Sequence, residues 1–224
     1  MPISPYHAPN FYADALAKGR HRDIVGGRWD ETGRVQMALL RQHGLLPQHH
    51  LLDIGAGSLR LGCKAVDYLA PGHYWGTDLS GDLMRRGHAT ELADPARLRP
   101  DHLIEDADFN FPGVPDSITH AICFAVFTHL PVAHLHRALS QINARFPALQ
   151  RLLFTVFLVP EAARTRAFRQ PDGVVTHPDR APYHLLAKKV LNLCQETGFD
   201  AAFQADTLPR GQVLCVATRQ TGGL

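Results

Sequence analysis

Residues 51–62 read LLDIGAGSLRLG, and this stretch decides the expected fold. The run begins with apolar residues around Asp53, stops at Gly55, has a second glycine at Gly57 and takes on a helix-like pattern near Leu59. A glycine loop between a strand and a helix lets the backbone approach a ligand closely and places the helix N-terminus beside it. The stretch therefore predicts a strand, a ligand-binding loop and a helix.

The rest of the chain alternates between short β-like runs and longer amphipathic ones. The predicted strands after the first are 73–79, 102–108, 118–127 and 151–159, and the predicted helices are 80–92, 132–146 and 183–198. Continuous apolar runs such as RLLFTVFLV, 151–159, are typical of buried parallel strands. This alternation indicates βαβ units, in which a parallel sheet carries helices on both faces.

The C-terminal part departs from the parallel pattern. The runs FDAAFQAD, 199–206, and QVLCVATR, 212–219, flank a turn at LPRG. The turn is too short for a crossover helix, so these two strands are expected to form an antiparallel pair. Residues 160–182 form a long polar connection before them.

Composition and charge narrow the class of protein. The chain has 224 residues, 45% hydrophobic and 20% charged, which is typical of one globular domain. A formal net charge of +2, with lysines and arginines scattered along the chain, does not favour a nucleic-acid partner. The 14 histidines lack the spacing of a zinc site, so no metal is expected.

Cysteine usage and hydropathy predict the compartment. The four cysteines are widely spaced, which favours a reducing environment. The N-terminus, MPISPYHAPNFY, lacks the basic and then apolar pattern of a signal peptide. The longest apolar runs are too short to span a bilayer. We expect a soluble, cytoplasmic protein that has no membrane partner.

The residues after successive strands indicate which nucleotide the loop fits. The third glycine of a dinucleotide fingerprint would fall at Arg60, and this bulky charged residue disfavours NAD and FAD. Asp78, at the end of the next strand, is placed to accept hydrogen bonds from ribose hydroxyls. Asp106 follows the third strand, where it can accept from an adenine amino group while the backbone of Ala107 meets the ring edge. The three strand ends would then contact the amino-acid, ribose and base parts of one adenosyl ligand.

The ordered runs LLDIGAGSLRLG, YWGTDLS, EDADFNFP and ITHAICFAVFTHLP resemble the motifs of the class I S-adenosylmethionine (SAM)-dependent methyltransferases. The resemblance covers about residues 45–160, and the terminal hairpin is similar to the closing strands of that family. It implies an α/β, Rossmann-like, doubly wound sheet of seven strands, mostly parallel, with an antiparallel C-terminal hairpin. The commonest loop of the family has a glycine where Leu59 stands; this variant, with Arg60 and Gly62, resembles a bacterial subgroup.

The resemblance implies SAM as cofactor and S-adenosylhomocysteine (SAH) as product. The loop residues would line the methionine end of SAM, and an aromatic residue after the fourth strand would lie beside it. The implied cofactor-binding residues are Asp53, Gly55, Ala56, Gly57, Arg60, Asp78, Leu79, Asp106, Ala107 and Phe124. Several of these residues have ordinary structural alternatives: Asp53, Gly55 and Gly57 as a plain strand-to-helix turn, Asp78 as a helix cap beside Ser80, Asp106 as part of a solvated acidic turn, and Phe124 as core.

The N-terminal part is expected to be a helical segment, residues 1–44, that precedes a Rossmann-like core, 45–224, within one methyltransferase domain. Gly26 and Gly27 interrupt its pattern, and Trp29 follows them. One hypothesis is a lid that folds over the cofactor, with Arg28 or Trp29 reaching the site. The alternative is a helix packed on the sheet edge, with Trp29 as a core anchor.

Methyl transfer from a sulfonium is an in-line displacement, so the enzyme mainly aligns the two reactants and removes a proton where the acceptor carries one. His129 follows the fourth strand and is the candidate base, with an imidazole expected to titrate near neutrality. The alternative is that His129 orients the helix that Pro131 begins. Further substrate-pocket candidates, chosen by position only, are Tyr6, His7, Tyr12, His177, Tyr183 and His184.

These observations predict SAM-dependent methyl transfer to an oxygen or nitrogen of a small-molecule acceptor. Two alternatives stay open: an NAD-type oxidoreductase, and a protein that keeps the adenosyl pocket but acts only in binding. The shape of the acceptor pocket is expected to come from the N-terminal segment and from the connection at 160–182.

Overall fold

The computed structural model describes residues 4–8 and 10–220. Its helices are α1 (Phe11–Ala17), α2 (Trp29–Gln42), α3 (Gly62–Tyr68), α4 (Gly81–Glu91), α5 (Val132–Arg145) and α6 (Ala187–Glu196). Its strands are β1 (Leu51–Ile54), β2 (Tyr74–Asp78), β3 (Leu103–Glu105), β4 (His120–Cys123), β5 (Arg151–Leu158), β6 (Phe168–Arg169), β7 (Val175–Thr176), β8 (His184–Leu185), β9 (Phe199–Thr207) and β10 (Val213–Arg219).

Seven strands form the main sheet in the order β3-β2-β1-β4-β5-β10-β9. The first five are parallel to one another, while β10 runs antiparallel to both β5 and β9. This confirms the mostly parallel sheet with an antiparallel C-terminal hairpin. The two-residue strand β8 adds a parallel pair to the end of β5, where Phe157 faces His184.

Both faces of the sheet are covered by apolar clusters, as a doubly wound sheet requires. On one face, Leu152 and Phe154 of β5 pack with side chains of α5 and α6. On the other, Leu153 packs with a cluster that includes Leu40 of α2 and Met84 of α4. Each of these side chains is at most 1% exposed. Burying one of them contributes about 1.5–3 kcal/mol.

Two predicted strands are shorter than expected because the chain turns at their carboxyl ends. The strand predicted at 102–108 ends at Glu105, since the next residues form a turn around Asp106. The strand predicted at 118–127 ends at Cys123, because Ala125 has a left-handed φ of 62°. Both turns bend the backbone across the same edge of the sheet.

Two predicted helices begin later than expected. The helix predicted near Leu59 begins at Gly62, after a turn. The helix predicted at 183–198 begins at Ala187, because the residues before it are extended and pair with β5 through β8. The connection at 160–182 is also more ordered than expected, because β6 and β7 form a small antiparallel hairpin within it.

Among the described residues, no helix combines the length and hydrophobicity that crossing a bilayer demands.

Candidate active site

A cavity of about 230 Å³ lies where β1, β2 and β4 end. In parallel α/β sheets, this carboxyl edge is where ligands bind. The structure brings nearly all of the predicted cofactor residues, and the predicted base, to the lining of this cavity. These residues are Asp53, Gly55, Ala56, Gly57, Arg60, Asp78, Leu79, Asp106, Ala107, Phe124 and His129.

The glycine loop has backbone conformations that glycine favours. Gly55 and Gly57 have φ values of 78° and 57°. A Cβ on Gly55 would lie 2.3 Å from Val126 Cγ2, and one on Gly57 would lie 2.7 Å from Val25 Cγ1. Leu59 also has a positive φ, 64°, at the position where the commonest loop has a glycine. The variant loop therefore keeps a glycine-type conformation there, with the Leu59 side chain fully buried.

Asp53 is a buried carboxyl at the base of the cavity. It is 2% exposed, and the Tyr74 hydroxyl donates a hydrogen bond of 2.7 Å to its Oδ2. Burial raises the pKa of Asp53 to about 7, although the Tyr74 hydrogen bond and the charge of Arg60 act in the opposite direction. A positive ligand group placed nearby would shift this carboxyl towards its ionised form.

Asp78 joins the glycine loop to the start of α4. Its Oδ2 accepts a 2.9 Å hydrogen bond from Gly57 N, and its Oδ1 accepts a 3.0 Å bond from Ser80 N. The cap of α4 is Ser80 itself, whose hydroxyl accepts from Leu83 N. Burial raises the pKa of Asp78, while these backbone donors lower it. Each carboxylate oxygen retains a lone pair for a further donor.

The residues after β3 form an acidic turn at the cavity wall. Asp106 Oδ1 accepts from Asp108 N at 3.0 Å, and its Oδ2 accepts from Phe111 N at 2.7 Å. This geometry fits the alternative of an acidic turn, yet Asp106 and Ala107 both line the cavity. Phe124 is 7% exposed and also lines it, so it belongs to both the core and the site.

Arg60 connects the glycine loop to the N-terminal segment, defined as the described residues from Ser4 to Arg28. The guanidinium Nη1 donates to the carbonyl oxygen of Val25 at 2.7 Å and to that of Gly27 at 3.3 Å. The side chain is 8% exposed, and its buried Nε has no hydrogen-bond partner in the described part of the chain. The Nε–H donor of this cavity-lining residue is thus not used by the described part of the protein.

The N-terminal segment covers part of the cavity. Tyr6, His7, Tyr12 and Arg28 line it, so these four candidates are brought to the site. Trp29 is not: in the described structure it lies outside the cavity lining, with the guanidinium of Arg22 5.2 Å from its ring centre.

Hydrogen bonds fix the position of this segment. The carboxylate of Glu91 on α4 lies 2.7 Å from His21 Nε2 and 2.7 Å from Arg22 Nη2. Ser58 Oγ donates to the carbonyl oxygen of His21 at 2.9 Å. Burial raises the pKa of Glu91, but the hydrogen bonds from Arg22 and His21 outweigh this effect and lower it.

His129 lines the cavity, but the expectation that it titrates near neutrality is wrong. Burial lowers the pKa of its imidazole to about 4, and the charge of Arg210 adds to this effect. Its ring packs edge-on against Tyr6, with ring centres 5.0 Å apart. The side chain does not cap α5, which follows Pro131 without a side-chain cap. At neutral pH, His129 is an uncharged and weak base.

The connection before α6 does not contribute to the site. No described residue between Val159 and Leu186 lines the cavity, so His177, Tyr183 and His184 lie elsewhere. His184 is buried, with its Nδ1 2.8 Å from Thr176 Oγ1. Among the described residues, no group of three or more His, Cys, Asp or Glu side chains is placed to hold a metal ion.

The sequence interpretation missed the loop between β9 and β10, which brings Arg210 and Gln212 to the cavity. Its LPRG run indicated only a turn. It also missed Thr32 and Gln36 of α2, which line the cavity and are at most 6% exposed. Polar residues on the apolar face of a helix were the available signal.

No family model matches the chain. Among solved structures, it is similar to magnesium protoporphyrin IX methyltransferase from Synechocystis PCC 6803 with bound SAH, with a TM-score of 0.64 and 17% identity over 93% of this chain and 97% of that one. For the DhpI–SAH complex, the TM-score is 0.61, with 10% identity over 93% and 95%. For the methyltransferase domain of bacterial CtHen1, the TM-score is 0.58, with 12% identity over 84% and 98%. These likenesses confirm the class I methyltransferase fold.

Proposed function

We propose that this chain, which has the class I methyltransferase fold, binds SAM in the cavity and transfers its methyl group to an oxygen or nitrogen of a small-molecule acceptor, releasing SAH. The observation that carries the proposal is the convergence of three strand ends on one cavity. Asp53 is the penultimate residue of β1, Asp78 is the last residue of β2, and Asp106 follows β3, and all three line the same cavity. Of the three structures compared above, two are named as methyltransferases, and two hold bound SAH.

The methionine end of SAM carries an ammonium and a carboxylate group, and the base of the cavity offers a partner for each. Asp53 would attract the ammonium, and Arg60, with an unpartnered Nε, would attract the carboxylate. Gly55 and Gly57 allow the ligand to approach the backbone, because each has only a hydrogen atom in place of a side chain.

The nucleoside end would lie along the next two strand ends. Asp78 is held in place by Gly57 N and Ser80 N, which orient its carboxylate for the ribose hydroxyls. Asp106 and the backbone of Ala107 would contact the adenine edge, and Phe124 would pack beside the cofactor. No pyrophosphate is needed to fill this arrangement.

Bound SAM supplies an electrophilic methyl group on a sulfonium. The chain would contribute alignment of the acceptor and exclusion of water rather than strong base catalysis. His129 is neutral at pH 7, because its pKa is about 4. The N-terminal segment would act as a lid: Val25 lies against Gly57, and Arg60 and Arg210 donate to its carbonyl oxygens.

Isothermal titration of the full chain with SAM and SAH, with NAD as the control ligand, tests this proposal. We expect micromolar binding of SAM and SAH only. Asp78→Ala should weaken both by about 10- to 150-fold, which corresponds to losing 1.5–3 kcal/mol of hydrogen bonding to a charged group. Asp116→Ala, an exposed carboxylate outside the cavity, is the matched control and should bind normally.

Circular dichroism and thermal unfolding would establish that each variant is folded. If Asp78→Ala does not fold, Asp78→Asn replaces it, because it keeps one oxygen as an acceptor. A well-folded wild-type chain that binds neither SAM nor SAH would overturn the proposal.

A further inference from the structure

The loop between β9 and β10 places a strained arginine at the cavity. Arg210 lies in the short 3₁₀ turn Pro209–Gly211 with φ 67° and ψ 20°, a left-handed conformation that side chains rarely adopt. Strain of this kind persists only where the surrounding structure maintains it, and it concentrates at ligand sites. The strain at Arg210 therefore indicates that this turn contacts a ligand.

In the described part of the chain, the exposed guanidinium of Arg210 is held by one hydrogen bond. Its Nη2 donates to the carbonyl oxygen of Gly26 at 2.6 Å. Among the described residues, no carboxylate lies within 4.0 Å of its guanidinium, which has four further N–H donors. Burial raises the pKa of Tyr6 and lowers that of His129, and the positive charge of Arg210 acts on both rings, opposing the first shift and adding to the second. Because Tyr6 and His129 both line the cavity, the charge of Arg210 contributes a positive electrostatic potential there.

Gln212, from the same loop, presents a donor of fixed orientation. The backbone N–H of Ala125 donates to Thr155 Oγ1 at 2.7 Å, and Thr155 Oγ1 lies 2.6 Å from Gln212 Oε1. Because an N–H group can only donate, the hydroxyl proton of Thr155 is free to donate to Oε1 of Gln212. The oxygen of the amide is thus engaged, and the NH₂ group remains as the polar group for a ligand. Arg210 and Gln212 together offer donors only.

We propose that the methyl acceptor carries a carboxylate, that Arg210 and Gln212 bind it, and that this carboxylate is the group methylated; this inference rests on the proposed function. A carboxylate accepts hydrogen bonds on both oxygens and complements a guanidinium in charge and shape. The three aspartates that line the cavity lie at the carboxyl end of β1, at that of β2 and directly after β3, so they repel such an acceptor from the cofactor end.

The chemistry balances without a base. One carboxylate oxygen forms a bond to the methyl carbon while the carbon–sulfur bond of SAM breaks, and the electron pair of that bond goes to sulfur. The products are a methyl ester and SAH, and no proton moves. The sulfonium and carboxylate charges are both neutralised, which favours reaction in a cavity shielded from water. A neutral, weakly basic His129 beside the acceptor is compatible with this step.

The test uses the full chain, SAM with a tritiated methyl group, and a panel of carboxylates with their amides: benzoate and benzamide, cinnamate and cinnamamide, indole-3-acetate and its amide, octanoate and octanamide. We expect at least one carboxylate and no amide to be labelled. Alkali hydrolyses methyl esters, so the label should become volatile methanol after mild base. Label that stays on the acceptor after base would overturn the proposal.

Gln212→Glu is the sharpest variant, because it keeps an oxygen for Thr155 and replaces the NH₂ donor with a repelling carboxylate oxygen. We expect it to raise KM for the labelled carboxylate at least about tenfold, while Kd for SAM changes by less than about threefold. Arg210→Gln should raise KM for the carboxylate by a similar factor. Arg210→Lys keeps the positive charge, so its KM should lie between those of the wild-type chain and Arg210→Gln. Arg164→Gln, an exposed arginine paired with Glu161, is the control.

Two failures are distinguishable. If SAM binds but no carboxylate of the panel gives a base-labile product, the carboxylate proposal is overturned and the proposed function stands. If neither SAM nor SAH binds, the proposed function itself fails. An unchanged KM in Gln212→Glu and Arg210→Gln would also overturn the assignment of these two residues.

Discussion

The N-terminal segment and the connection between β5 and α6 are both rich in polar groups, but they use them in opposite ways. In the N-terminal segment, backbone carbonyl oxygens accept hydrogen bonds from side chains at or next to the cavity: Arg60 and Arg210, which line it, donate to Val25 and Gly26, and Ser58 of the glycine loop donates to His21. This segment is therefore attached to Arg60 and Arg210, two cavity-lining side chains that would contact a ligand.

In the connection, three buried polar side chains, those of Gln170, Thr176 and His184, form a chain of hydrogen bonds with one another. Gln170 Nε2 donates to Thr176 Oγ1 at 3.1 Å, and Thr176 Oγ1 lies 2.8 Å from His184 Nδ1. Gln170 also donates to the carbonyl oxygen of Leu158 at 3.3 Å, which attaches the hairpin to the end of β5. A position near the sheet edge therefore does not by itself couple a segment to ligand binding. We expect coupling only where the segment hydrogen-bonds to residues that line the cavity.

Deleting residues 1–27 is expected to have the largest effect on the affinity for SAM. The deletion removes Val25 from the face of Gly57 and removes the carbonyl acceptors of Arg60 and Arg210. We expect Kd for SAM to rise at least about 100-fold, which corresponds to about 2.7 kcal/mol. Titration measures the effect, and circular dichroism checks that the core is folded. An unchanged Kd in a folded variant would show that the segment is only attached to the core.

One glycine that faces the N-terminal segment and one in the connection allow the effect on ligand binding to be separated from the effect on stability. Gly57 has φ 57° and faces Val25, whereas Gly173 in the connection has φ 95° and open space around it. Alanine at either position should cost about 1–2 kcal/mol of stability from the backbone conformation alone. Only Gly57→Ala should also weaken SAM binding, by about tenfold or more, which is about 1.4 kcal/mol. Chemical denaturation and titration of both variants separate the two effects.

Val25→Ala provides the control for this pair. If the Cβ that Gly57→Ala introduces acts by displacing Val25, the double variant Gly57→Ala/Val25→Ala should recover part of the lost affinity. If Gly57→Ala and Gly173→Ala lose affinity equally, the proposed coupling between loop and segment is wrong.

The sequence predicted the structure best where a local pattern is compatible with only one arrangement of the chain. The alternation of strands and helices predicts the parallel sheet, and the short LPRG turn predicts the antiparallel hairpin, because turn length and chain direction are linked. The cofactor-binding candidates at strand ends are also brought to one cavity, since all carboxyl ends of a parallel sheet lie at one edge. Asp53, Asp78 and Asp106 follow from this rule.

The remaining features depend on tertiary contacts that leave no periodic signal. Arg60 was expected at the cofactor, but its hydrogen bonds to Val25 and Gly27 come from a distant segment. The low pKa of His129 results from burial beside Arg210, which is 81 residues away in the chain. The connection before α6 was expected to form a pocket wall because it is polar, but its buried polar side chains hydrogen-bond within the connection and to the end of β5.

Asp53 gives the next prediction, a pH dependence confined to the site. Its carboxyl has a pKa of about 7, so it is largely protonated below that pH and ionised above it. A ligand with a cationic ammonium and sulfonium prefers the ionised form, so SAM affinity should fall as the pH drops from 8 to 5.5. The loss approaches about tenfold per pH unit once the carboxyl is protonated. Asp53→Asn should bind weakly at pH 8 and show a flatter profile.

The same titration distinguishes the two regions. His184 is a buried titratable group of the connection, and burial lowers its pKa. Because its folded pKa lies below its unfolded one, protonation as the pH falls destabilises the fold without touching the cavity. The Kd–pH profile of His184→Gln should therefore match that of the wild-type chain. A profile altered in His184→Gln and unaltered in Asp53→Asn would reverse the assignment.

The smallest effect on affinity is expected from Thr176→Val, which tests whether the connection is only structural. The variant removes the hydroxyl shared by Gln170 and His184, and leaves two buried polar groups without this partner. The free energy of unfolding should fall by about 1–3 kcal/mol, while Kd for SAM stays within about twofold. Ser58→Ala is the counterpart in the glycine loop: it loses the hydrogen bond to the His21 carbonyl oxygen, so the free energy of unfolding should fall by about 1 kcal/mol and the affinity for SAM should fall as well. A loss of SAM affinity in Thr176→Val equal to that in Ser58→Ala would mean that the connection is also coupled to the ligand.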